Sequence, residues 1–185
     1  MTDEQLVALC KRGDKVAWEQ LYERYKPRVL KIARRFFLSG VETEDLVQEG
    51  MCGLYSAVNG FVQDKANFSA FASSCIRNRI VDAVKKSGRA KHSALNNFLP
   101  IVEVGEDLIS SDTPEDELIM REDKRELLHK MSKILSSLEF KAVVMYTDGM
   151  TLSEISSALD KNIKSVDNAI NRAKHKLQKY VQAEE

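Results

Sequence analysis

Apolar residues recur every three or four positions through the long stretches of this chain, and no run alternates apolar with polar as a strand would; that spacing restricts the fold to packed helices. Val166, Ala169, Ile170, Ala173 and Leu177 show it most clearly, falling on one side of a helix that advances about 100° per residue. With three prolines and eight glycines in 185 residues, little interrupts the pattern. The 43% apolar content suffices for genuine cores, in one ordinary domain or two small ones. The expected class is all-α.

Local signals divide the pattern into elements. Asp3 to Lys11 reads as a short helix closed by Gly13, and Asp14 can cap a second helix through Phe37 that ends at Ser39-Gly40. Pro27 lies inside that second helix, so a kink or break is expected near Lys26. A third helix is expected from about Glu44 to Phe61. A fourth is expected from about Phe68 to Lys86, ended by Gly88. Periodicity then fades from about Arg89 to Thr113, where Asn96, Asn97, Pro100 and Gly105 gather with repeated acids. Thr113-Pro114 opens a new helix reaching about Leu135, followed by Ser137 to Tyr146, stopped at Asp148-Gly149. The last pair, Leu152 to Leu159 and Ile163 to Val181, is the best-defined local motif. Thr151-Leu152-Ser153-Glu154 is a capping box, and the turn at Asp160 to Asn162 leads into a longer helix, as in a helix-turn-helix. The expected organisation is an N-terminal module over residues 1–90, an acidic flexible linker over 91–114 and a helix-turn-helix module over 115–185.

The formal net charge is zero, which at first argues against a nucleic-acid partner. Its distribution argues the other way. Arg77, Arg79, Lys85, Lys86, Arg89 and Lys91 face one acid, Asp82, for a local charge of +5; Lys161, Lys164, Arg172, Lys174, Lys176 and Lys179 face only Asp167, again +5. Between these stretches, Glu103 to Glu126 carries ten acids and three bases, a charge of −7. Opposite the apolar face of the final helix lie Lys164, Asn168, Asn171, Arg172, His175 and Lys179, with Ser165 beside them. Such a set can donate to phosphates and to base edges in a major groove, although an ordinary solvated helix face would carry similar charges.

At this point the chain resembles the sigma-70 family of bacterial RNA polymerase sigma factors. Asp45-Leu46-Val47-Gln48-Glu49-Gly50-Met51-Cys52-Gly53-Leu54-Tyr55 is similar to the family's polymerase-binding signature. Phe68-Ser69-Ala70-Phe71-Ala72 and Ile76-Arg77 follow at the family's distance, as in its −10 recognition helix. The helix-turn-helix ending Asn171-Arg172-Ala173-Lys174-His175-Lys176-Leu177 resembles its −35 reader. The likeness covers residues 5–92 and 115–181, and within the family it is strongest to the sigma-H type of sporulation and stationary-phase factors. Cys75-Ile76 and Arg89-Ala90-Lys91-His92, with Leu95-Asn96 beyond, carry that finer likeness.

The resemblance implies an alternative sigma factor that directs core polymerase to promoters, with no enzymatic role and no cofactor. It implies that Gln48, Glu49, Met51 and Tyr55 meet the clamp helices of the largest polymerase subunit, with Asp45 supporting the helix start. It further implies contact with the β flap, and it leaves room for an anti-sigma factor. The residues agree: Leu46, Gly50, Gly53, Leu54, Ala57 and Val58 can face a core, while Gln48, Glu49, Cys52, Tyr55 and Ser56 point outward. On the fourth helix Ile76, Ile80, Ala83 and Val84 make an apolar stripe. Asn78, Arg79, Asp82, Lys85 and Lys86 lie largely away from it on a side that can contact −10 DNA, with Asn78 and Arg79 at base edges and Lys85, Lys86, Arg89 and Lys91 as phosphate contacts. Basic residues there would also complement the helix dipole without any ligand.

One departure matters. Where many family members carry two adjacent tryptophans, this chain has Ser74-Cys75, and its one tryptophan, Trp18, lies elsewhere. Strand opening would then fall to other aromatics such as Phe68 or Phe71, both of which fit a core position equally well, with weaker melting and a stricter promoter requirement expected. The linker, as a flexible coil, spans about 25–30 Å, and fully extended about 80 Å; the two promoter elements lie on the order of 70 Å apart. Specific DNA binding is therefore expected to need polymerase.

Other classes fare less well. A helix-turn-helix regulator that binds operators without polymerase is the alternative, and it would need dimerisation. There is no phosphate-binding glycine loop, and His92, His129 and His175 lie far apart with no nucleophile partner. Cys10, Cys52 and Cys75 are odd in number and widely spaced, which suggests buried thiols in place of a disulfide framework or zinc site. The acidic N-terminus and the lack of a long apolar run suggest a cytoplasmic protein with no membrane partner.

Overall fold

A computed structural model describes residues 1–62, 67–91, 125 and 128–183. The described residues are all-α, without a strand. They fall into two compact units, one built from Met1–Arg34 with Val41–Ser87, the other from Arg35–Gly40 with the C-terminal helices.

The first unit packs four helices. In α1 (Asp3–Lys11) Thr2 accepts from the Gln5 N–H while the Gln5 side chain accepts from the Thr2 N–H, so the helix start is closed from both sides. Helix α2 (Lys15–Arg34) is capped by Asp14, whose carboxylate accepts from the N–H groups of Val16 and Ala17 at 2.9 and 3.0 Å. Helices α3 (Thr43–Gly60) and α4 (Phe68–Lys91) complete it. Leu6, Leu21, Tyr25, Val29, Leu46, Leu54, Phe68, Ile76 and Ile80 form its core, each buried. Polar ties fix the register: Asp3 accepts from Arg24 and from the Tyr25 hydroxyl, and Arg28 donates to the hydroxyls of Ser69 and Ser73 at 2.6 and 3.1 Å.

Four expectations change. Helix α2 runs through Pro27 without a break, because Leu21, Tyr25, Val29 and Ile32 bury one continuous face whose packing outweighs the missing N–H. It stops at Arg34, short of Phe37; Phe36, Phe37 and Leu38 lie buried in a turn, where Phe37 and Leu38 pack with Met131, Leu135, Val143 and Leu177. Gly88 does not end α4, which continues to Lys91; an interior glycine costs only about 1 kcal/mol, and Arg89-Ala90-Lys91 are good helix formers. Cys52 is exposed, not buried, while Cys10 and Cys75 are half-buried, with thiols pushed up by burial. The acidic linker expected over 91–114 lies outside the described residues, apart from Lys91, as does the helix start at Thr113-Pro114.

In the second unit, residues 128–134 are helical, followed by α5 (Ser137–Thr147), α6 (Leu152–Leu159) and α7 (Ile163–Ala183). Its apolar clusters join Met131, Leu135, Val143, Ala173 and Leu177 with Phe37 and Leu38, and Ala142 with Ile155, Val166, Ala169 and Ile170. The expected core face of the last helix is the observed one.

Helices α3 and α4 approach each other closely through Gly53. A Cβ on Gly53 would stand 2.8 Å from both the Cys75 carbonyl oxygen and the Ile76 Cα, backbone atoms that have no rotamer in which to retreat. One on Gly50 would meet the side chains of Val29 and Ile80 at 2.6 and 3.0 Å. Gly53→Ala should therefore destabilise the protein by about 1–3 kcal/mol through overpacking, although alanine gains about 1 kcal/mol in helix propensity. Urea unfolding of the full chain checks this; a midpoint equal to or above wild type would contradict the packing argument.

Candidate nucleic-acid interface and docking face

Helix α3 divides as its sequence requires. Leu46, Gly50, Gly53, Leu54, Ala57 and Val58 are its buried residues, and Asp45, Gln48, Cys52 and Tyr55 are exposed, with Glu49 and Met51 half-buried. Asp45 sits in the first turn, where a carboxylate complements the helix dipole. Tyr55 keeps 59% of its surface in water, and the Trp18 ring meets it edge-on at 5.5 Å.

Helix α4 presents a similar division on its own axis. Ile76, Ile80 and Val84 are buried, Ala83 is half-buried, and Asn78, Arg79, Asp82, Lys85 and Lys86 are exposed. The side chains of Arg89 and Lys91 lie outside the described residues. Arg79 Nε donates to Glu49 Oε2 at 2.7 Å, tying the α4 polar face to the α3 outward face. A bidentate contact to guanine can use the two Nη atoms, so this pair orients the guanidinium fork without consuming it. Beside the pair, a cleft of about 460 Å³ is lined by Asp45, Gln48, Glu49 and Cys52 of α3 and by Ala83 and Lys86 of α4.

Phe68 is fully buried, edge-on to Tyr25 and Phe61 at 5.7 and 5.2 Å, so the structure removes it as a residue that could stack on an opened base. Phe71 is half-buried and lies 6.0 Å from Phe61. Ser74 is exposed.

The helix-turn-helix is assembled by caps. Thr151 and Glu154 form the expected box, with the Thr151 N–H donating to Glu154 at 2.6 Å and the Glu154 N–H to the Thr151 hydroxyl at 3.2 Å. Asp160 takes a left-handed conformation at φ 50°, and Asn162 Oδ1 accepts from the Ser165 N–H at 2.7 Å, starting α7. Ile163, Lys164, Asp167, Asn168, Asn171, Arg172, His175 and Lys179 are exposed; Ser165 is half-buried. A helix-turn-helix places the N-terminal residues of its second helix against base edges.

Sequence reasoning missed Glu139, a buried carboxylate at the start of α5. Arg172 Nε and Lys176 Nζ donate to its two oxygens at 3.3 and 2.7 Å, and the Ser136 N–H adds a third donor at 2.9 Å. Arg172 is thus engaged inside the unit as well as lying on the exposed face. A local signal for the cap existed: Ser136-Ser137-Leu138-Glu139 has the same spacing as the box from Thr151 to Glu154, and Ser136 and Glu139 do form a second capping box.

Among the described residues there is no group of His, Cys, Asp and Glu that could hold a metal, and no helix is long and apolar enough to cross a membrane.

Comparison with known proteins bears on both units. The family model for sigma-70 region 2 matches residues 21–90, and that for sigma-70 region 4 matches residues 125–177. The RNA polymerase sigma-H factor of Bacillus subtilis is 38% identical over 198 aligned positions, covering 100% of this chain and 91% of that protein. The ECF RNA polymerase sigma-E factor of Escherichia coli is 25% identical, covering 98% and 95%. The crystal structure of the RNA polymerase sigma-H factor from Fusobacterium nucleatum has 28% identity and a TM-score of 0.32, covering 76% of this chain and 95% of that one.

The Glu139 cluster generates a pH dependence. Burial alone would raise its carboxyl, but the Lys176 ammonium, Ser136 and Arg172 overcome that and hold it at about 2, against an ordinary value of 4.5. A carboxylate depressed in the folded state stabilises fully above its unfolded pKa, and that stabilisation is lost as pH falls from about 4.5 towards about 2. Glu139→Gln should unfold at lower temperature at neutral pH, yet show a shallower loss of stability on acidification than wild type. Parallel melting-temperature profiles for the two proteins would contradict the assignment.

Proposed function

The chain belongs to the sigma-70 family, and on that footing we propose how its two units divide the work of bringing RNA polymerase to promoters. It is an alternative sigma factor that directs core polymerase to specific promoters and assists initiation. The observation that carries this reading is that both matched regions stand on one chain, with a near full-length likeness to sigma-H factors. An operator-binding regulator working alone would have no use for the first of them. Its partners are core polymerase and promoter DNA, and its contribution is positional, with no covalent step assigned to it. The likeness to sigma-H factors supports a role in sporulation or stationary-phase control.

In the finer reading, the module over residues 1–90 docks through Asp45, Gln48, Glu49, Met51 and Tyr55 on the clamp helices of the largest polymerase subunit. Asn78, Arg79 and Asp82 face −10 base edges, and Lys85, Lys86, Arg89 and Lys91 face phosphates. The module over 115–185 meets the β flap and the −35 element. Lys164, Ser165 and Asn168, near the start of α7, take the base-edge positions; Asn171, His175 and Lys179 follow along the groove. Arg172 stands between two duties, because its tie to Glu139 also braces α7 against α5. Cytoplasmic localisation follows from working with polymerase, and an anti-sigma factor would act by covering the α3 face.

Run-off transcription with purified core polymerase on a promoter library, beside gel shifts with and without core, tests the function; sequence-specific binding without core would favour the lone regulator. Asn168→Ala should lower use of −35-dependent promoters by about 1–3 kcal/mol and relax specificity there, while Lys179→Ala should weaken all promoters alike. Arg172→Ala should also lower melting temperature, which Asn168→Ala should not. Wild-type transcription by both Asn168→Ala and Lys179→Ala would overturn the assignment of the α7 face.

A further inference from the structure

The one tryptophan of the chain has no part in the surfaces assigned so far. Trp18 lies on α2, whose neighbouring positions Ala17, Leu21 and Tyr25 are buried. Trp18 itself is only half-buried, and its ring stands edge-on to Tyr55 of α3, with centroids 5.5 Å apart and planes at 89°. One helical turn on, Tyr22 is 36% exposed on the same side of α2. An aromatic surface therefore continues from the docking face of α3 on to α2.

We propose that Trp18 is a positioning residue for docking on core RNA polymerase: it holds the exposed Tyr55 ring in its binding orientation before the partner arrives. The inference rests on the reading of Tyr55 as a polymerase contact. A side chain with 59% of its surface in water would otherwise sample several rotamers, and ordering it on association lowers affinity. An edge-to-face neighbour fixes the ring in advance, with its positive edge against a negative face. Trp18 is suited to that task because Asp14, four residues earlier, caps α2 and fixes the helix start.

The test is a double-mutant cycle on the affinity of the full chain for bacterial core polymerase, with urea unfolding of each variant. Trp18→Ala should weaken binding by about three- to ten-fold, the scale of ordering one side chain, and Tyr55→Ala by at least as much. Trp18→Ala added to Tyr55→Ala should then cost nothing further, and Trp18→Phe should keep most of the affinity. Equal losses from Trp18→Ala in both backgrounds would mean that Trp18 serves only the fold, and would overturn the proposal. If Tyr55→Ala leaves affinity unchanged, the docking reading itself fails; if Tyr55→Ala weakens binding and Trp18→Ala does not, the positioning role alone fails. Should Trp18→Ala not fold, Trp18→Phe and Trp18→Leu in the two backgrounds supply the same cycle, with only leucine expected to lose affinity. Because position 18 is the sole tryptophan, 5-hydroxytryptophan placed there can be excited apart from the polymerase's own indoles. Its emission should change on adding core, and unchanged emission would count against the proposal.

Discussion

The near-contact of the α3 and α4 backbones at Gly53 governs the first unit. With no side chain at that position, the Cys75 carbonyl and the Ile76 Cα come as close as a helix pair allows. The two helices then share one core through Leu46, Leu54, Ile76 and Ile80, while each turns its polar side outward. The outward residues of α3 and the polar residues of α4 are thus carried on two helices held together at one close crossing. Arg79 lies at that crossing: a Gly53 Cβ would also meet its Cβ at 3.1 Å. From there its guanidinium reaches Glu49. An exposed ion pair of this kind contributes little stability, about 0–1 kcal/mol, so its consequence is geometric: it sets the direction of a long, otherwise mobile cation.

In the second unit a buried carboxylate does what the glycine does in the first. Glu139 closes the start of α5 and draws Arg172 and Lys176 of α7 on to it, so α7 is tied to α5 by charge as well as by Val166, Ala169 and Ile170. Burying a lone carboxylate is costly. Three donors on two oxygens compensate, and they do so only if α7 lies where it does.

The parts of this fold legible from sequence are those decided within one or two helical turns. Asp14 as a cap, the Thr151–Glu154 box, the buried stripe from Val166 to Leu177 and the outward set on α3 all depend on spacing alone, and each stands where spacing puts it. Expectation and structure part where a tertiary contact overrides a local preference. Pro27 is tolerated because the α2 face around it is buried, and Phe37 and Leu38 leave the helix to pack with Met131, Leu135 and Leu177. For Phe68, spacing leaves stacking on bases and a core role equally open, and only its contacts with Tyr25 and Phe61 decide for the core. The Glu139–Arg172 pair spans 33 residues and the Trp18 ring meets a residue on another helix; no periodicity reports either.

These internal pairings change what the charge pattern means. Counted by sequence, the Lys161 to Tyr180 stretch offers six cations to a phosphate backbone. Arg172 and Lys176 are already neutralised in part by Glu139, and on α4 Arg79 is held by Glu49. Affinity for DNA rises with each phosphate that a protein cation neutralises, because each one sets condensed counterions free. The charge each unit can bring to DNA is therefore smaller than its basic residues suggest, and in a chain with zero net charge any long-range attraction must come from the segregated basic stretches. Arg79, Arg172 and Lys176 could add to phosphate affinity only by loosening contacts that also orient or brace their helices.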